Sequence, residues 1–599
     1  FFFPSDTSLH EVSLLSPYDP SRRLTSPDDQ QSTLKSWVHV WDEEPGESAA
    51  LRPKLDSVTT AGIGVLSMDT WRPPLMIGPP ATPSKPISET EDHASEMDTF
   101  IVAFTFCLGV SGFWKMPVLV TRHGGAFFVA CLVMYALLAQ PVLYLELILG
   151  QFTTSGVTRL YRCFPLFKGV GYMSVMYCFL LAVCQSLREV YAAFYLIHGT
   201  GQGMPWSRCR DEWTNCYNPD EDFRLCKDVQ GNENATAASD QGHNATSDQS
   251  GSHYLANPSV ATVSFPAWCV NASRSSSEAY LVDFVWELSE GVHEIGSLKR
   301  ELLALLTVLW VVLFLICSLS PTSVRVVRKV LALLAALTFV PFFVECIWKH
   351  WCLRALRYSF MPDIYKLVDL QVWMDAAEHT MLSLGTCCGL FVLMGSHCKY
   401  GTSMERCIIS TVAADIIVSQ MISVLTYSWI FESRLNQPEI SPSVPLFFHQ
   451  LVTIPQLVLT CKYPKLCCVI IFTALVTAGL SAQASLVQTC VVEVCRAFNF
   501  VGNDATMRVL LGVCCLAYCV SIFFCTQAGP HFHVMIEQGL TRNLMFVVAL
   551  VETLALIWLY GVRRISFDVE YMLRKPASFY WLVTWTFTAP TIALVSCPL

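Results

Sequence analysis

The segment "CLGVSGFWKMP", Cys107–Pro117, lies inside a long apolar run and works against its own helix. About 20 apolar residues suffice for an α-helix to cross the hydrocarbon of a bilayer. Here Gly109, Ser111 and Gly112 interrupt the run, and Lys115 and Pro117 follow. Glycine costs a helix interior about 1 kcal/mol against alanine, and proline removes a backbone donor. The combination predicts a spanning helix that breaks at mid-depth and frees backbone groups for a ligand. Close helix packing through small residues is the alternative reading of the glycines.

Composition agrees with a membrane-embedded chain. Of 599 residues 53% are hydrophobic and 15% charged, with a net charge of −9. So little charge over this length points to a polytopic all-α membrane protein. No basic tract suggests nucleic-acid binding. The 26 cysteines fall mostly in apolar runs such as "GTCCGL" and read as small buried hydrophobes. Residues 1–97 are rich in Ser, Pro, Asp and Glu, without a secretory pattern, and read as a disordered cytoplasmic tail.

Eleven apolar runs follow, near 99–121, 125–149, 168–198, 299–317, 322–347, 372–398, 404–430, 464–495, 506–526, 532–561 and 578–597. Every second connection is basic: Arg159, Arg162 and Lys168; Arg325, Arg328 and Lys329; Lys399 and Arg406; Arg496 and Arg508; Arg563, Arg564, Arg574 and Lys575. Basic loops stay cytoplasmic, so the N-terminus is expected inside and the loop 199–298 outside. Lys349, Arg354 and Arg357 do not fit that alternation. The outside loop carries three glycosylation sequons, at Asn234, Asn244 and Asn271. It also holds Cys209 and Cys216, and an exported loop permits a disulfide.

"GFWKMPVLVTRHGGAFFVACLVMYALLAQPVLYLELILGQF" resembles the first two helices of the neurotransmitter:sodium symporters, solute carrier family six. "FKGVGYMSVMY" is similar to the start of their third helix, and "MPWSRCRDEWTNC" to their disulfide-bearing outside loop. "VWMDAAEHTMLSLGTCCG" resembles the sixth helix and "LIWLYGVRRISFDVEYMLRKP" the tenth with its following loop. The motifs occur in order over about 98–597, the expected transmembrane domain. The resemblance implies a LeuT-like fold: two inverted five-helix repeats with broken first and sixth helices, then two further helices. The twelfth has no counterpart in this sequence. Broken helices in such folds place half-helix ends and freed carbonyls around substrate and ions.

The resemblance also implies a site. Gly109 stands where monoamine carriers have Asp, so it implies an amino-acid-like substrate. Val110 and Ser111 fall where backbone N–H groups meet a substrate carboxylate. Gln185 replaces a tyrosine whose hydroxyl reaches that carboxylate, and its amide can still donate. Leu382 and Cys388 replace pocket aromatics, and Gly385 is suited to unwinding. For the first sodium site the matching positions are Cys107 through its carbonyl, Gly112, Ser383 and, more loosely, Ser410. For the second they are Thr105, Leu108 and Ala478 through carbonyls, with Ser481 and Ala482. Sodium needs several oxygen ligands, and Gly112 and Ala482 supply none from their side chains. Chloride dependence stays open, as does oligomeric state.

Lys115 and Glu537 match an outer-gate pair, with lysine unable to make arginine's bidentate fork. Arg188, Glu189 and Asp415 are charges within apolar runs, which usually face a bundle interior or water. Asp415 is expected to pair with Arg188, or to hold a cation or proton in place of lost ligands; a structural pair is the alternative. Arg496 is expected to meet Glu91 or Asp92 at an inner gate. Two functions follow: sodium-coupled symport of an amino acid or related small zwitterion at the plasma membrane, or a symporter fold with degraded sodium sites acting as an uncoupled carrier, leak or non-transporting receptor or partner. Enzyme motifs are absent from the sequence.

Overall fold

The computed structural model describes residues 96–161, 165–201, 203–213, 216–218, 274–348, 352–432, 444–445 and 448–597. The tail before Glu96, the three sequons, and Glu91 and Asp92 lie outside the described residues.

Each apolar run is helical. α1 has two halves, α1a (Glu96–Phe106) and α1b (Met116–His123). Then come α2 (Ala126–Thr153), α3 (Lys168–Gly199), α4 (Arg300–Ser318) and α5 (Pro321–Trp348). α6 is also split, into α6a (Leu370–Leu384) and α6b (Leu390–His397). α7 (Glu405–Glu432), α8 (Pro464–Phe498), α9 (Asn503–Ile522), α10 (529–561) and α11 (579–596) complete the bundle. Among the described residues seven helices are long and apolar enough to cross a membrane, eight with the bent α1 pair.

The two breaks differ in construction. In α1 the chain widens to a π-helical turn over Cys107–Gly112, and the two halves meet at 50°. Such a turn spoils the i→i−4 ladder locally and frees carbonyls. In α6 the helix ends outright. Gly385 and Gly389 sit at φ +67° and +73°, conformations that cost glycine little. The N–H groups of Gly385 and Thr386 turn back to the carbonyls of Leu382 and Met381, a left-handed helix stop. Glu146 of α2 then accepts the Cys387 N–H at 2.6 Å, satisfying a donor the break leaves exposed.

α3 packs along α8, α2 against α6b, and α5 against α8. α1 crosses α8 closely: a Cβ on Gly109 would lie 2.8 Å from the Gly479 Cα, so only small residues allow this approach. Large apolar side chains on the outer helices, such as Val308, Leu333 and Leu511, are exposed, as a lipid-facing surface requires. Outside the bundle, Cys209 and Cys216 are joined by a disulfide, and Cys216–Tyr217 pairs in parallel with Arg274–Ser275. Arg354 and Arg357 belong to a short amphipathic helix, Cys352–Phe360, where Arg354 covers the ring of Phe431 at 4.7 Å. Their charge is thus held by a packed helix rather than a free loop.

Candidate ion and substrate site

The two breaks face each other. The Gly385 position abuts the Phe106 ring: an added Cβ would lie 2.7 Å from it. Cys388 turns its thiol back to the Gly385 carbonyl at 3.0 Å. The Gly109 carbonyl, released by the π turn, accepts from Trp114 Nε1 at 3.1 Å and Gln185 Nε2 at 3.0 Å. Gln185 Nε2 also reaches Glu189 Oε1 at 2.7 Å. Ser111 Oγ lies 3.0 Å from His379 Nδ1. Val110 is fully buried, and Leu382 is buried at the stop of α6a.

At the expected first sodium site the structure puts a carboxylate. Asp415 of α7 is buried and accepts from Ser383 Oγ and Tyr135 OH, each at 2.6 Å. Cys107 Sγ lies 3.5 Å from Ser419 Oγ. A Cβ on Gly112 would meet the Cys107 carbonyl at 2.6 Å and Ser419 Oγ at 3.0 Å. The Cys107 carbonyl and Ser419 Oγ therefore lie beside Gly112, and Asp415 and Ser383 cluster with them around Cys107. Ser410 does not join them. It is on the exposed face and bonds the Cys407 carbonyl. Five residues before Asp415 at about 100° each put it on a different side of α7. Ser419 follows Asp415 by four residues and so shares its face; that spacing is the signal in the sequence that would have found it.

At the expected second site, Leu108 and Ala478 line the same apolar cavity. Thr105, Ser481 and Ala482 are buried along α1a and α8. Thr105 Oγ1 bonds the Val102 carbonyl, and the Ser481 carbonyl accepts from Ser485. Glu189 packs its carboxylate against Gly479, whose added Cβ would clash with it.

The outer end is a buried network of charges. Lys115 Nζ is 3.5 Å from Glu537 Oε1, as the sequence suggests, and nearer, 2.7 Å, to Glu378 Oε1. Arg188 does not reach Asp415. Its Nη1 bonds both oxygens of Glu537 at 3.0 and 2.8 Å, and its Nε bonds Gln185 Oε1 at 2.8 Å. Arg542 adds a contact to Glu378 at 3.2 Å. Sequence reasoning missed Glu378, and of its two readings of Asp415 the one that paired it with Arg188 does not hold, because such pairings join distant helices. A cavity of about 160 Å³ opens above, lined by Lys115, Arg122, Asp375, Glu378, His379 and Arg542. At the inner end, Arg496 lies 3.5 Å from Glu493, one turn before it. Glu493 also accepts from the Thr158 backbone and hydroxyl.

Two broken, facing helices around buried polar groups define a membrane transporter fold. Residues 90–597 match the Sodium:neurotransmitter symporter family, and the chain belongs to that family. It is 26% identical over 513 residues to the sodium-dependent acetylcholine transporter of Caenorhabditis elegans, covering 84% of this chain and 69% of that protein. It is 24% identical over 522 residues to the sodium-dependent nutrient amino acid transporter 1 of Drosophila willistoni, covering 85% and 77%. In architecture it is similar to MhsT, solved in complex with L-phenylalanine: TM-score 0.60, 14% identity, covering 84% of this chain and 98% of that one. That likeness establishes the LeuT-like fold.

Proposed function

We propose that this protein is a sodium-coupled symporter of an amino acid or related small zwitterion, working at the plasma membrane by alternating access with its N-terminus inside. The observation that carries the reading is the Asp415 carboxylate. It is buried between the two breaks and held by two hydroxyl donors, and no basic side chain pairs with it among the described residues. An aspartate at the centre of a membrane helix costs roughly 2.5–3.5 kcal/mol. A co-transported cation offsets that cost, and Asp415 then serves in place of the side-chain oxygen that Gly112 lacks. Ser383 and Ser419 supply neutral oxygens suited to a hard cation.

On the substrate side, Gly109 carries no side-chain carboxylate of its own to fix an amine-only ligand. Gln185, bonded to the Gly109 carbonyl and to Arg188, is the polar group a carboxylate would meet. The names of the relatives, sodium-dependent carriers of nutrient amino acids and of acetylcholine, support coupling to sodium and a small polar cargo.

A second reading, an uncoupled carrier, leak or receptor, is favoured by Ala482, whose methyl leaves Ser481 as the only hydroxyl of that pair. Radiolabelled uptake in oocytes, with sodium replaced by choline, separates the two. Saturable uptake that falls at least tenfold without sodium supports symport. Uptake indifferent to sodium, or ligand binding without flux, supports the second reading.

A further inference from the structure

At the break of α6, a cysteine of the break and two glutamates from two helices converge. Cys387 belongs to the break, Glu146 to α2 and Glu552 to α10. One ligand atom from each lies within 4.8 Å of the others. All three are at most 2% exposed. Glu146 uses Oε1 for the Cys387 N–H, and its Oε2 has no hydrogen-bond partner. Glu552 Oε1 also has none, and the Tyr161 hydroxyl stands beside that carboxylate. Among the described residues no lysine or arginine pairs with either glutamate.

The backbone adds a second, independent observation. Cys387 adopts φ +66°, a left-handed conformation that costs a non-glycine residue of order 1 kcal/mol or more. The neighbouring turns of the same break use Gly385 and Gly389 for that conformation. A glycine at 387 would relieve the strain, so the thiol is present despite a backbone that disfavours it. Two carboxylates this close in a dry interior cannot both ionise without a cation.

We propose that Glu146, Cys387 and Glu552 form a binding site for a thiophilic divalent cation of the zinc class. A thiolate with two carboxylates matches zinc's donor preference, and three protein ligands leave a fourth position open. Calcium and magnesium call for all-oxygen shells of six or more, and sodium does not favour sulfur. On binding, the Cys387 S–H proton and the proton held by the carboxyl pair leave to solvent, and three metal–ligand bonds form. The ion then ties α2, the α6 break and α10 together. Because the break must move during alternating access, zinc acts as a brake on the moving segment.

The test uses the purified full chain in detergent, with Cd²⁺ as the spectroscopic probe and Zn²⁺ for stability. The expected result is one equivalent of Cd²⁺ giving an ultraviolet sulfur-to-cadmium band and a Zn²⁺-dependent rise in unfolding temperature. Cys387→Gly, which suits the backbone, should fold normally and lose both, and Glu552→Gln should lose the Zn²⁺ shift. The many other cysteines are controlled by the wild-type minus Cys387→Gly difference. An identical band and shift in Cys387→Gly, or wild-type protein that takes up no Cd²⁺ at this site, would overturn the assignment in favour of a proton shared by the two glutamates.

Discussion

At the outer end of the bundle Lys115, Arg188, Glu378, Glu537 and Arg542 each meet an opposite charge within 3.5 Å. Near the middle of α7, Asp415 is held by neutral groups, the hydroxyls of Ser383 and Tyr135 foremost, with Cys107 and Ser419 beside it, and among the described residues it has no basic partner. Burial does not separate the two clusters; the presence or absence of an ionic partner does. In the first, three cations share two carboxylates, and every charge has an opposite charge to hold it, so the network ties its helices together. A carboxylate left short of one positive charge invites one. The first arrangement suits a gate, the second a place where a cation rests, and a change to each should have a different signature.

The largest effect is expected at Asp415. Asp415→Asn keeps the shape and removes the charge, so sodium-dependent uptake should fall by about a hundredfold or more, as when a buried charged partner worth ~3 kcal/mol is lost. Surface expression and unfolding temperature should change little, because the amide oxygen can accept from one of the two hydroxyls and the amide NH2 can donate to the other. Retained sodium-dependent uptake in Asp415→Asn would make the mid-helix carboxylate a structural group and erase the contrast with the gate.

The gate should respond the other way. Glu537→Gln leaves Arg188, 1% exposed, without its bidentate partner. Breaking a buried pair from one side costs about 3–5 kcal/mol, so the unfolding temperature and surface expression should both drop. Glu378→Gln should cost less, since Lys115 retains Glu537 at 3.5 Å and Glu378 is 13% exposed. Equal losses in the two variants would mean that the network is not centred on Arg188.

Much of this was legible in the sequence, for reasons that also mark its limits. Apolar length and basic connections located the eleven helices, because a bilayer imposes both. The glycines located both breaks, but not their kind. Gly109 and Gly112 gave a π turn in α1, whereas Gly385 and Gly389 gave left-handed turns and a full stop in α6. Charge partners were the least legible part. Lys115 and Glu537 were matched through the family pattern; Glu378 lay unremarked within "DAAEHT", and Asp415 was offered to Arg188 as one of two alternatives. Which acid an arginine on α3 meets depends on how α10 crosses it, and no local pattern encodes that crossing. Ser410 failed for a simpler reason, since it sits on the other face of its own helix.

A third test concerns the residue at which the helix breaks. The sequence suggests restoring a ligand by Gly112→Asn. The structure predicts the opposite of rescue, because the new Cβ would lie 2.6 Å from the Cys107 carbonyl and 3.0 Å from Ser419 Oγ. Overpacking of this kind costs about 1–3 kcal/mol, and the carbonyl pushed aside is one of the converging oxygens. Uptake should fall by about tenfold with a lower apparent affinity for sodium. A gain in sodium affinity would show that α1 can relax around the added side chain and that the Asp415 site tolerates two acidic or amide ligands.

The smallest effect is expected at Lys115→Arg. The ammonium now divides itself between Glu378 at 2.7 Å and Glu537 at 3.5 Å as a point charge. A guanidinium can fork onto one carboxylate or bridge both with separate N–H groups. The gain should be below about 1 kcal/mol, because Arg188 already occupies both oxygens of Glu537. It should appear as a slightly slower turnover, with substrate affinity unchanged, since a firmer outer gate delays reopening and does not touch the binding groups. A change in affinity without a change in turnover would place Lys115 in the substrate's path, and the outer network would then belong to the binding site rather than to its closure.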